Sequence, residues 1–143
     1  MITTVDVETS WQKTENGGYD PSPFHEDNIL VSVGINDDYY FTNHRERIDV
    51  GCASKIQSVL NKTTLLVGHN IKFDLMWLLE AGFKYNGRVY DTMLGEYILN
   101  RGIRKSLTLE MCCRRRKIGS KDSAIKEWTD RGVSFQNIPK DVV

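Results

Sequence analysis

The stretch Leu65-Leu66-Val67-Gly68-His69-Asn70-Ile71-Lys72-Phe73-Asp74 decides the fold. Thr63 to Val67 is a compact apolar run rich in β-formers, the pattern of a buried strand. Gly68 breaks it, and from Asn70 to Ala81 the apolar residues return at helical spacing, with Phe73, Trp77 and Leu78 on one face and Gly82 as the closing residue. A strand that turns through glycine into a helix is the building unit of an α/β sheet. Such sheets hold their ligands at the carboxyl ends of their strands, where this turn lies. Asp74 sits one turn inside the helix, where an acid complements the helix dipole. Asn70, four residues earlier, is expected on the same helical face.

Working outward, Ile2 to Asp6 is β-branched and predicts a strand near the first residue. Residues 15 to 28 gather Gly, Pro, Asn and Asp and read as a loop. Ile29–Ile35 and Tyr39–Thr42 predict two strands joined through Asn36-Asp37-Asp38. Gly51 to Asn61 carries Ile56, Val59 and Leu60 at helical spacing. Downstream, Val89 and Tyr90 form a brief strand, Asp91 caps a helix running to Asn100, and further helical segments begin at Leu107 and Ser123. Three strands followed by alternating helices and strands predict an α/β or α+β domain with a mixed sheet.

The 143 residues fit one domain, 1–143, around one core. No apolar run approaches the length of a membrane span, and the first residues lack the pattern of a signal peptide, so no membrane partner and a cytoplasmic location are expected. Cys52, Cys112 and Cys113 are odd in number and show no zinc spacing, so reduced thiols are expected. The formal charge is zero, which on its face argues against a polyanionic partner. The total hides a division: residues 1–60 carry ten acids against four bases, and residues 61–143 nine acids against fifteen bases. Eight of those bases lie between residues 101 and 121, with Glu110 the one acid among them. Such a run is either a solvated face or a track for a nucleic-acid backbone.

Asp6-Val7-Glu8 closes the first strand. Side chains alternate along a strand, so both carboxylates project to one face. Like charges so close repel unless something neutralises them, and oxygen-only ligands favour Mg²⁺ or Mn²⁺. The other reading of the pair is a strand end that dips into solvent.

Together these segments resemble a known family. Asp6-Val7-Glu8-Thr9 resembles the first motif of the proofreading 3′ to 5′ exonucleases with four essential acids, and Gly68 to Asp74 resembles the second, N-x-x-x-D with an aromatic before the Asp. Tyr90 to Asn100, followed by Ser106-Leu107, is similar to the segment that comes next in family A DNA polymerases of bacterial polymerase I type and their phage relatives. The resemblance implies an RNase H-like fold with a mostly five-stranded mixed sheet flanked by helices. It also implies proofreading during DNA replication, with hydrolysis of the 3′-terminal phosphodiester of single-stranded DNA assisted by two Mg²⁺ or Mn²⁺ ions. Asp6 is implied as the ligand shared by both ions, Glu8 as a ligand of the ion that activates water, and Asp74 as a ligand of the other. Thr9 matches a position whose backbone meets the terminal nucleotide, and Asn70 one that orients the substrate. Phe73 is expected in the core. Trp11 and Tyr19 are stacking candidates for an unpaired 3′ end, or else surface aromatics. Arg104 and Lys105 stand for the strand track, and the polymerase domain of a parent chain is the expected partner.

Family members carry a third motif, Y-x-x-x-D or H-x-x-x-x-D, which supplies a fourth carboxylate. Neither form is expected in this chain, and Val133 to Val143 resembles the segment leading into the motif. The chain is therefore expected to be truncated, to lack the helix of that motif, and to be weakly active or inactive, with Asp141 a poor substitute ligand. Two other functions share the acids: an exoribonuclease similar to RNase D, and a non-catalytic exonuclease-like module that binds single-stranded nucleic acid.

Overall fold

The computed structural model describes residues 1–119 and 124–139, and its central strand is β1, Ile2–Thr9. Thr3, Val5, Val7 and Thr9 are buried while Thr4 and Asp6 on the alternate side are exposed. Two short strands follow, β2 (Gln12–Lys13) and β3 (Tyr19–Asp20), which pair antiparallel with each other in a small separate sheet. Residues 15–28 are thus not wholly a loop as expected. The turn between them closes with Thr14 N–H on the Gly18 carbonyl and with Gly17 at φ 76°, and a two-residue strand is too short to show a period.

β4 (Leu30–Ile35) and β5 (Asp38–Phe41) form the expected hairpin, turned through Asn36 at φ 55°, a conformation asparagine tolerates. After α1 (Cys52–Lys62) come β6 (Leu65–Gly68), α2 (Ile71–Glu80), β7 (Arg88–Asp91) and α3 (Thr92–Leu99). The main sheet has the order β5-β4-β1-β6-β7. β1 is antiparallel to β4, β4 to β5, and the pairs β1/β6 and β6/β7 are parallel. This five-stranded mixed sheet with helices agrees with the expected RNase H-like exonuclease fold.

Val5, Val7, Val33 and Ile35 pack against Ile56 and Leu60 of α1 and Trp77 and Leu78 of α2, and Phe73 adds to this core as expected. A second, smaller core lies on the other side. Its origin is an irregularity in pairing: Glu8 faces Ser32 and Thr9 faces Leu30, so Val31 has no partner on β1. This bulge reverses the alternation, and Val31 packs with Phe135 and Ile138 instead of with Val33. Ile125 and Trp128 of α5 (Ala124–Asp130) and Val133 complete the cluster. His44 fastens it, its Nε2 donating to the Ile138 carbonyl at 2.9 Å while Nδ1 accepts the Glu46 N–H. Between α3 and α5 lies α4, Leu109–Arg116. All three cysteines are free. Among the described residues no helix is long and apolar enough to cross a membrane.

The turn from β6 into α2 is tight because Gly68 has no side chain. A Cβ there would come within 2.9 Å of Cγ1 of Ile71, which is itself buried. Gly68→Ala is therefore expected to lower stability by about 1–3 kcal/mol through overpacking. Denaturant titration measures it, and an unchanged midpoint would show that Ile71 moves aside freely.

Candidate active site at the end of the central strand

β1 outruns its parallel neighbour. The last β1/β6 pair is Thr4 with Val67, whereas β1 continues to Thr9. Beyond the end of β6, the Val7 N–H has no strand opposite it. Asp74 takes that place, its Oδ1 accepting the Val7 N–H at 2.9 Å. The third acid is thus bonded to the backbone of the residue that separates Asp6 from Glu8.

The turn that delivers Asp74 is held from three sides. Asp91 Oδ1 accepts the Met93 N–H at 2.8 Å, capping α3 as expected, and accepts the Asn70 N–H at 3.0 Å as well. His69 reaches Thr92 Oγ1 through Nδ1 at 2.9 Å and the Leu107 carbonyl through Nε2 at 2.6 Å. A carbonyl only accepts, so Nε2 carries a proton. Thr92 Oγ1 also lies 3.1 Å from the Gly68 carbonyl. The loop that carries Arg104 and Lys105 is thereby tied, through Leu107, to the residue before Asn70.

Asp6 is exposed and Glu8 half-buried, on one face of β1. Asp6 stands opposite Gly34 and Glu8 opposite Ser32 on β4, and Gly34 in turn opposite Tyr39 on β5. Ser32 is fully buried, and its hydroxyl lies 2.6 Å from that of Tyr39. Burial above all, then the charges of Glu8 and Asp6, hold the Tyr39 phenol well above the usual tyrosine range, against the pull of the Ser32 hydrogen bond. Glu8 also borders a cleft of about 390 Å³ walled by the first turn of α4 and the end of α5.

Asp74 is 3% exposed, and its carboxyl is pushed up to about 6. Burial is the main cause; the Val7 N–H pulls the other way, and the negative charges of Asp6 and Asp91 add to the rise.

The structure brings Asp6, Glu8 and Asp74 to one end of β1 but does not close them into one group. Among the described residues no three or more His, Cys, Asp or Glu side chains are gathered closely enough to hold a metal ion. Asn70 departs from expectation: at φ 64° and ψ 42° it stands outside α2 in the left-handed region, so it does not share a helical face with Asp74. The Thr9 side chain is buried at the bulge, which leaves its backbone for any contact. Trp11 is half-buried against the exposed Tyr19, their rings edge to face with centroids 4.2 Å apart. The basic run divides. Arg115 and Arg116 grip the buried Glu96 from either side, and Arg114 pairs with Glu110 at 3.2 Å. Arg104 and Lys105 are exposed and border a separate cleft of about 290 Å³. Lys121 and Asp141 lie outside the described residues. Two H-x-x-x-x-D spacings do occur, and neither acts as a third motif. His44 and Asp49 are bound up with Ile138, Phe41 and Arg47, and His69 and Asp74 belong to the second motif itself.

Tyr39, Ser32 and Gly34 are site residues that the motif reading passes over. The signal for them is register: a turn through Asn36 and Asp37 sets Gly34 opposite Tyr39 and aims the ring toward the face of Asp6.

The profile of a family described as 3′–5′ exonuclease matches residues 13–130. The match takes in Asn70 and Asp74 and begins after Asp6 and Glu8. No curated protein matches the chain.

The buried Asp74 carries a pH signature. Folded, it keeps its proton up to about pH 6, whereas an unfolded aspartate releases it near 3.8. Folding takes up a proton between those values, so this contribution to stability is largest at low pH and is lost as pH rises through 6. Asp74→Asn, which retains an oxygen for Val7, removes the titration. Its stability relative to the unsubstituted protein, read by thermal unfolding with chelator present, should rise from about pH 4 to pH 6 and then level off. A difference independent of pH would contradict the assigned burial.

Proposed function

The chain belongs to the 3′–5′ exonuclease family of the family A DNA polymerases, and from that membership we propose that it is a proofreading domain which removes nucleotides from the 3′ end of single-stranded DNA. The observation that carries the reading is the bond from Asp74 to Val7, which anchors the second-motif acid between the two acids of the first.

The donors are carboxylate oxygens alone, a set suited to Mg²⁺ or Mn²⁺. Mg²⁺ is commonly held by one or two carboxylates, with waters and substrate phosphates completing its shell. The Asp6/Glu8 face fits that requirement without a third protein ligand in place beforehand. Asp6 would be the shared ligand of two ions, with Glu8 and Asp74 each serving one. The chemistry supplied by such bound ions is activation of the attacking water and neutralisation of charge on the scissile phosphate.

The chain's own residues would guide and hold the strand. Trp11 and Tyr19, two residues beyond the bulge and at the small sheet, offer a ring face for the terminal bases. The Thr9 backbone and the exposed Asn70 flank the acids from β1 and from the β6 turn. Arg104 and Lys105 supply positive charge for the incoming phosphates on a loop fastened to that turn. The polymerase partner would cover the outer face of α3, where Leu94, Tyr97, Ile98 and Leu99 are all more than half exposed.

With three carboxylates and no third motif, residues 1–143 alone are expected to shorten a labelled single-stranded oligonucleotide slowly or not at all in Mn²⁺. Any hydrolysis present should vanish in Asp6→Ala. Rapid degradation that depends on Asp6 would refute the weak activity, and degradation indifferent to Asp6 would refute the site. Trp11→Ala is expected to weaken single-strand binding by about 1–3 kcal/mol, measured by fluorescence anisotropy. Unchanged binding would remove Trp11 from the substrate path.

A further inference from the structure

Across β1, β4 and β5 two rows of side chains share the face of the paired acids. One row is Asp6, Gly34 and Tyr39; the other is Glu8, Ser32 and Phe41. Directly opposed residues of antiparallel strands hold their Cβ atoms about 4.5–5.5 Å apart, so Ser32 lies beside Glu8 on the same side. Gly34 is the gap in the first row. A Cβ built there would lie 3.4 Å from the Tyr39 ring and 3.6 Å from the Asp6 carbonyl oxygen, so the ring occupies the side of β4 that faces Asp6. From that position the phenol reaches diagonally to the Ser32 hydroxyl at 2.6 Å. Phe41 meets the Tyr39 ring edge to face at 5.2 Å and limits its swing.

We propose that Tyr39, held by Ser32 over Gly34, is a positioning residue for the Asp6/Glu8 carboxylates and sets their orientation for divalent-cation binding. The bond between the serine and tyrosine hydroxyls uses one of their two O–H donors and leaves the other for a neighbouring carboxylate, which only accepts. The phenol stays protonated at neutral pH and remains a donor. Groups that orient metal-binding carboxylates typically contribute 10–100-fold to metal affinity. The proposal rests on the cation-binding role given to Asp6 and Glu8 above.

The experiment is a Mn²⁺ titration of residues 1–143 followed by calorimetry, with Asp6→Ala, Tyr39→Phe, Ser32→Ala and Tyr40→Phe in parallel. Tyr40 lies on the opposite face of β5 against the main core and serves as the control. Tyr39→Phe is expected to weaken binding about tenfold while the melting temperature stays close to the unsubstituted value. Ser32→Ala should act in the same direction. A tyrosine ultraviolet difference spectrum on Mg²⁺ addition should disappear in Tyr39→Phe and persist in Tyr40→Phe, a signature that a purely structural role would not give. Binding that depends on Asp6 but is equal in Tyr39→Phe overturns this inference and leaves the proposed function standing. Binding indifferent to Asp6 overturns both.

Discussion

One hydrogen bond organises the active end of this domain: the Val7 N–H on the Asp74 carboxylate. It exists because β1 extends past β6, leaving a backbone donor at a buried position with no strand to pair with. An unsatisfied donor there would cost about 1–3 kcal/mol. A carboxylate from the first turn of α2 supplies the acceptor, and the helix is thereby docked in register against the strand. Docking the helix there takes the Asp74 carboxyl out of water, and that burial raises its proton affinity although the Val7 N–H pulls the other way. Helix placement and the buried setting of Asp74 thus both follow from the overhang of β1.

Much of this was legible in the chain because its carriers are local. The run from Thr63 to Phe73, the hairpin about Asn36, the cap at Asp91 and the stop at Gly82 each follow from a few adjacent residues and the period they set. What escaped depends on distant partners. The helical period places Asn70 on α2, yet Asp91, twenty-one residues away, binds its N–H and the residue adopts the left-handed conformation outside the helix. Val31 looks like any member of an apolar strand, but the bulge opposite Thr9 sends it to the second core. Tyr39 has no motif around it, and its place beside Asp6 emerges only from pairing across three strands.

The basic run shows the same limit in electrostatic form. By composition Arg114, Arg115 and Arg116 are indistinguishable from Arg104 and Lys105. Fold decides between them: Arg115 and Arg116 both pair with Glu96, an acid that α3 turns inward, so part of their charge is compensated and both side chains are held against α3. Removing Glu96 would strand two arginines, and removing the arginines would strand a buried carboxylate, so this cluster is a structural commitment.

The opposed charges of the two halves can now be related to geometry. The acids of the first half matter because β1 ends in two of them, and those of the second half because Asp74 and Asp91 hold the turn beside it. The loop with Arg104 and Lys105 comes to the same end of the sheet because the Leu107 carbonyl is bonded to His69, immediately before Asn70. Positive charge is therefore carried on a loop tied to the turn beside the acids and borders a cleft of its own. For a polyanion this separation would be useful: exposed bases attract phosphate over roughly a Debye length of about 8–10 Å, while nearby carboxylates repel it unless cations intervene. In the proposed function, a chain organised in this way would admit a nucleic-acid strand only where it also admitted a divalent cation, and the charge of one strand end would couple the two binding events.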